Sequence, residues 1–206
     1  MKLNCIIDTC SCITLSNAEF QQRTLLEYFN SYAYLNYSAE VHLELRDHSE
    51  KNLPTFIHNK KRQLKVMKYS MNEYERRMMG RVLVSRKKNE NKGEVDNFLV
   101  SADQIHYSKI SSVVFITDDE TAINGILSKW FDSFPVIKLW TSFEVVLYLY
   151  AEKVIPTRDI ALDLIKEIIS FTAPRPTERS PETTKKLTRI LVAYNQRIDN
   201  IHNLLN

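Results

Sequence analysis

The sequence predicts an α/β protein, with a mostly parallel sheet between layers of helices and a helical extension at the C-terminal side. Two observations carry this. Short apolar runs alternate with stretches of helical spacing up to residue 152, the pattern of strands joined by crossover helices. Beyond residue 153 the spacing is helical throughout.

Taken in order, Leu3–Asp8 is a short apolar run that ends on an acid and reads as a buried strand. Residues 12–29 have helical spacing, marked by Leu15, Phe20, Leu25, Leu26 and Phe29. Tyr32–Tyr37 is compact and aromatic enough for a second strand. Ser38 is placed to cap a helix in which Val41 and Leu45 share a face, with Glu40 in the favourable first turn. Ser70-Met71-Asn72-Glu73 fits a capping box opening a helix through Arg76 and Arg77. Gly93 breaks that pattern, and Glu94 to about His106 is the next helix. Val113–Ile116 is a strand, followed by Thr117-Asp118-Asp119 and a helix from about Glu120. Val136–Leu139 is the last strand and 142–152 the helix after it. Thr157–Phe171 is an amphipathic helix, and 172–181 is a linker holding Pro174, Pro176 and Pro181. Ser180 and Pro181 then open a final helix with Leu187, Ile190, Leu191, Tyr194, Ile198, Ile201 and Leu205 on one broad side. That side is expected either to fold back on the rest of the chain or to join a second copy or an inhibitory partner, with a slight preference for association.

At 206 residues the chain is long enough for one domain with an appendage, 1–155 and 156–206, and needs no disulfide to hold its core. Only Gly80, Gly93 and Gly125 are glycines, too far apart for a glycine-rich nucleotide loop. Cys5, Cys10 and Cys12 form no Cys-x-x-Cys pair and read as free thiols in a reducing cytoplasm, Cys10 and Cys12 buried beside the first strand. No apolar stretch approaches the roughly 18 residues of a membrane span, so no membrane association is expected. His42, His48, His58, His106 and His202 show no zinc-type spacing.

The net charge of +3 conceals an asymmetry. Residues 51–92 hold 13 Lys/Arg against 3 Asp/Glu, a net of +10, which leaves 15 basic and 22 acidic residues, a net of −7, elsewhere. One part is suited to meet an anion and the other to hold cations.

Asp8, Glu44, Asp96 and the Asp118-Asp119 pair stand where an α/β fold can bring them together, Asp8 and Asp118 directly after predicted strands. Carboxylates that converge raise one another's pKa unless a cation intervenes, and Mg²⁺ or Mn²⁺ prefers such oxygen ligands. Plainer roles stand beside this one. Asp8 or the Asp118-Asp119 pair can cap a helix, Asp96 can be a first-turn acid, and Glu44 a solvated one.

Ile6-Ile7-Asp8-Thr9, Val41-His42-Leu43-Glu44-Leu45, Gly93-Glu94-Val95-Asp96 and Ile116-Thr117-Asp118-Asp119 occur in an order that resembles PIN-domain nucleases, closest to VapC-type toxins. The resemblance covers roughly residues 1–155. It implies a three-layer α/β/α sandwich and a two-metal carboxylate site, Asp8, Glu44, Asp96 and Asp118, with Asp119 a substitute or fifth member. It implies Thr9, Ser11 and Thr117 as supporting hydroxyls, Mg²⁺ or Mn²⁺ as cofactor, and RNA cleavage leaving 5′-phosphate and 3′-hydroxyl ends. PIN toxins are typically dimeric and held inactive by an antitoxin, which makes a homodimer or an inhibitory partner the expectation.

The basic insert departs from that pattern. Lys60, Lys61, Arg62, Lys65, Arg76, Arg77, Arg86, Lys87 and Lys88 are the expected RNA contacts, with Phe56, Tyr69 and Tyr74 interleaved for stacking, although a solvated charged helix fits the same residues. A receiver-type domain lacks its paired acids and late lysine here, and a haloacid-dehalogenase-like phosphatase needs Asp-x-Asp where this chain has Asp8-Thr9-Cys10. A PIN-like scaffold that binds RNA or protein without cutting is the remaining alternative.

Overall fold

The structure is a computed structural model that describes residues 2–48, 65–68, 70, 72, 73 and 92–205. Strand β1 is Leu3–Ile7 and helix α1 is Thr9–Asn17. The single helical stretch expected over 12–29 is instead two helices separated by a hairpin. Two-residue strands β2 (Glu19–Phe20) and β3 (Arg23–Thr24) form an antiparallel hairpin, and α2 (Leu25–Tyr32) starts after it. Gln21 and Gln22 turn the chain there with left-handed backbones, φ 50° and 62°. Left-handed central residues suit a two-residue hairpin, but the usual sequence mark is Asn-Gly, so two glutamines left it unsignalled.

Strand β4 (Ala33–Tyr37) and helix α3 (Ala39–His48) follow the expectation, and Ser38 Oγ accepts the Val41 amide at 3.4 Å as a cap. Strand β5 (Lys65–Val66) lies within the basic stretch, where no strand was foreseen. Helix α4 (Lys92–Tyr107), strand β6 (Val113–Ile116), the short helix α5 (Glu120–Ala122) and strand β7 (Ile137–Trp140) match their predicted places. A π-helical turn, Ile123–Leu127, and helix α6 (Ser128–Ser133) fill the interval before β7. Helices α7 (Ser142–Ala151), α8 (Arg158–Thr172) and α9 (Pro181–Leu205) complete the chain, with Thr157 and Ser180 capping the last two.

Among the described residues the main sheet has five strands in the order β5-β4-β1-β6-β7, every neighbouring pair parallel. The chain builds outward from β1 to β4 and β5, then returns to the other side of β1 for β6 and β7. The order therefore reverses between β1 and β6. In parallel sheets the crevice beyond the carboxyl ends at such a reversal is where ligands bind.

Both faces of the central strands are buried: Cys5, Ile7, Val114 and Ile116 on one, Ile6, Val113 and Phe115 on the other. On the second face, Phe98 and Leu99 of α4 pack with Phe115, Ile137, Ala122, Leu127 and Trp130 into one apolar cluster. The near-continuous apolar runs of β1 and β6 are the sequence counterpart of a strand covered twice.

Two compact units partition these elements: Met1–Ile13 with Asn30–Thr141, and Thr14–Phe29 with Ser142–Asn206. The first holds the parallel sheet. In the second, α9 folds back on α7 and α8 and buries Ile198 completely. Tyr150 Oη meets His202 Nδ1 at 2.9 Å, Tyr194 donates to Glu144 at 2.6 Å, and Arg158 pairs with Asp199. The apolar side of the last helix thus has a place within its own chain.

Candidate functional site

Asp8 leaves β1 with its N–H donating to Ile116 O at 2.9 Å, so the β1–β6 ladder itself fixes where the carboxylate emerges. Its side chain is buried, and Oδ2 accepts the Cys10 thiol at 3.0 Å and the Thr117 hydroxyl at 3.2 Å. Burial chiefly raises the Asp8 pKa and the Glu44 charge adds to the rise, while the bonds from Cys10, the Thr9 amide and Thr117 oppose it.

Glu44 projects from α3 and accepts the Thr9 hydroxyl. Gly93 makes room for it. A Cβ at that position would stand 2.9 and 3.1 Å from the two Glu44 carboxylate oxygens, so the first turn of α4 admits this acid because residue 93 has no side chain.

Glu94 is the site residue that sequence reasoning passed over. It is buried in the first turn of α4, and its pKa is pushed up to about 7, first by burial and then by the charge of Asp8, with Asp119 and Glu44 adding to it. Asp96, chosen from the same motif, accepts the Glu40 amide at 3.1 Å and so helps to cap α3. The signal that separates the two is helical phase. Glu94, Asn97, Phe98 and Ser101 lie on the buried face of α4, whereas Asp96 is rotated away from it and half-buried. Asn97, also unforeseen, donates to Ile7 O at 3.1 Å and accepts the Ser38 amide at 3.0 Å, which ties the carboxyl ends of β1 and β4 together.

Thr117 is fully buried after β6 and accepts the Asp119 amide at 3.2 Å while it donates to Asp8. Asp119 Oδ1 accepts the amides of Thr121 and Ala122 at 2.8 and 3.1 Å, the helix-cap role its sequence position allowed. Asp118 turns its amide to Cys10 Sγ at 3.4 Å. Cys10 is therefore part of the acidic pocket, not simply packing beside β1, and burial, then the Asp8 charge, raise its thiol pKa. Cys5 and Cys12 are buried free thiols, as expected. Ser11 is fully buried, and its hydroxyl has no partner among the described residues.

The structure thus brings Asp8, Glu44 and Asp119 into electrostatic reach of Glu94, brings Glu44 into that of Asp8, and sets Asp118 against Cys10. Among the described residues no three His, Cys, Asp or Glu side chains are already gathered to ligand distance around a point. Asp8 and Glu94, raised chiefly by burial and further by neighbouring carboxylates, and Glu44, which Gly93 leaves room for, are oxygen donors of the kind a hard divalent cation takes. Of the predicted RNA contacts, Lys60, Lys61, Arg62, Arg76, Arg77, Arg86, Lys87 and Lys88 lie outside the described residues, and Lys65 is described only as backbone in β5. Most of the capping-box helix lies outside them too. Among the described residues no helix is long and apolar enough to cross a membrane.

Compared with protein-family models, curated proteins and solved structures, the chain matches none.

Proposed function

We propose that this chain is a Mg²⁺- or Mn²⁺-dependent endoribonuclease of PIN type, acting as the toxin of a toxin–antitoxin pair or a related defence system. The observation that carries the reading is the crowding of Asp8, Glu44, Glu94 and the Asp118-Asp119 loop at the reversal point of the sheet, where burial first and neighbouring carboxylate charge second raise Asp8 and Glu94. Carboxylates held this way without a cation are a cost to the fold, and a divalent ion removes it.

Asp8, Glu44, Glu94 and Asp118 would hold the metal, with Asp119 contributing beside its cap. Held there, such ions would supply an activated water and stabilise the leaving oxygen of an in-line phosphoryl displacement. The chain's own residues do the rest. Thr117 and Cys10 orient Asp8, Thr9 steadies Glu44, and Asn97 fixes the ends of the strands that deliver them. The basic segment of residues 51–92 counters the repulsion between this acidic pocket and an RNA phosphate.

The test is cleavage of single-stranded RNA by the full chain in Mg²⁺ and in Mn²⁺, with products mapped for 5′-phosphate ends. Asp8→Asn and Glu94→Gln are expected to abolish most cleavage, and EDTA all of it. Full activity of both variants, or in excess EDTA, refutes the reading. Cation binding with no cleavage of any RNA supports the non-cutting scaffold instead.

A further inference from the structure

We propose that the amino-terminal end of the parallel sheet carries a second site, a pocket for the phosphate group of a nucleotide or of a nucleic-acid strand. A cavity of about 380 Å³ opens between the start of β1 and the α4–β6 connection, lined by Lys2, Asn4, Lys109, Ser111 and Ser112 over an apolar floor that includes Val114. That volume is within the range of small-ligand pockets. Two lysines, two serines and an asparagine are among its lining residues, which include no Asp or Glu. This chemistry suits a phosphate, for which lysine acts as a point charge and hydroxyls as added donors.

One further feature favours a phosphate ester over a bare anion. Tyr34 neighbours Asn4 in register on β4, is 59% exposed, and has Lys2 Nζ 5.6 Å from its ring centroid. An exposed aromatic beside a lysine-lined pocket offers a base a stacking face. Lys109 also has a left-handed backbone, φ 53°, just beyond the end of α4. Glycine is the usual residue at such a helix stop, and a side chain there is strained, so lysine stands at this position at a conformational cost.

The site is separate from the acidic one. Leu3 and Asp8 mark opposite ends of β1, about 16 Å apart at the ordinary rise of a strand. The carboxylates therefore neither line the pocket nor need a metal for it to bind.

Calorimetry on the full chain in EDTA, which leaves the metal question aside, tests this with adenosine monophosphate, inorganic phosphate and adenosine. The expected order is monophosphate tightest and adenosine weakest. Lys2→Gln and Lys109→Gly are each expected to weaken the monophosphate about tenfold, the scale of one lost charged hydrogen bond. Lys109→Gly should also raise the thermal midpoint, because it relieves the left-handed residue, so loss of binding is not loss of fold. Asp8→Asn should bind as the unaltered chain does. An oligoribonucleotide with and without a 5′-phosphate identifies the source. A gain from the 5′-phosphate that disappears in both lysine variants assigns a strand end, and no such gain assigns the free nucleotide. Equal binding of adenosine and its monophosphate, or unaltered affinity in both lysine variants, overturns the proposal.

Discussion

Glu94 shows how a single residue's surroundings determine what it can do. Its pKa, pushed up to about 7 from an ordinary 4.5, means that the folded protein takes up a proton that the unfolded chain has already lost between those values. Stability conferred by that proton is complete below pH 4.5 and lost as pH rises through 7. The cation-free protein should therefore lose on the order of 3 kcal/mol across this window, and Asp8, shifted in the same direction, adds to the slope. Denaturant titrations at several pH values measure it, and Glu94→Gln should flatten the profile. Added Mn²⁺ should reverse the trend by stabilising the ionised carboxylates; a slope unchanged by Mn²⁺ counts against metal binding. Gly93 gives a complementary prediction. In Gly93→Ala the new methyl group displaces the Glu44 carboxylate, and Mn²⁺ affinity should fall about 10–100-fold, the range seen when the support of a ligand is disturbed. The cation-free thermal midpoint should hardly move, since alanine is at home in a helix and the Glu44 side chain can yield.

At the scale of elements, the joints between strands and helices are where the sequence signals were weakest. Asn97 links three elements by bonding to Ile7 O and the Ser38 amide inside the protein. Asn97→Ala leaves both backbone groups buried without that partner and should cost about 2–4 kcal/mol in chemical denaturation. A loss below 1 kcal/mol would mean that water replaces the side chain. The β2–β3 hairpin makes the opposite prediction. Gln21 and Gln22 both hold left-handed backbones, each unfavourable by roughly 1–2 kcal/mol for a residue with a Cβ. Replacing the pair by Asn-Gly should stabilise the protein by about 1–2 kcal/mol, with no effect on cation binding.

Among the described residues at the two ends of β1 and β6, charge differs in sign. Acids gather beyond the carboxyl ends of β1 and β6, while Lys2 and Lys109 stand at the amino ends. The other large-scale feature is α9. Its contacts with α7 and α8 include buried Ile198, the Tyr150–His202 and Tyr194–Glu144 bonds and the Arg158–Asp199 pair. Removing residues 181–206 should therefore expose apolar surface on α7 and α8 and lower the thermal midpoint of the remaining chain. A truncated protein that melts as the full chain does, but forms a smaller assembly in light scattering, would support the association reading.

The sequence by itself determined β1, β4 and, apart from β5 and the turn and short helix before β7, the described strands and helices that follow, together with the alternation that makes a sheet parallel, because apolar periodicity and capping residues are local properties. It also determined that Asp8 and the Asp118-Asp119 pair follow strands. Only the tertiary structure decided which acids face one another. Glu94 and Asp96 are two residues apart on one helix, and the choice between them depends on which side of α4 meets the sheet. Likewise, the entry of Cys10 into the acidic pocket follows from the β1–β6 pairing, which sets residue 10 beside residues 117 and 118. Contacts across more than 100 positions of chain leave no trace in local spacing; they exist once two strands lie side by side.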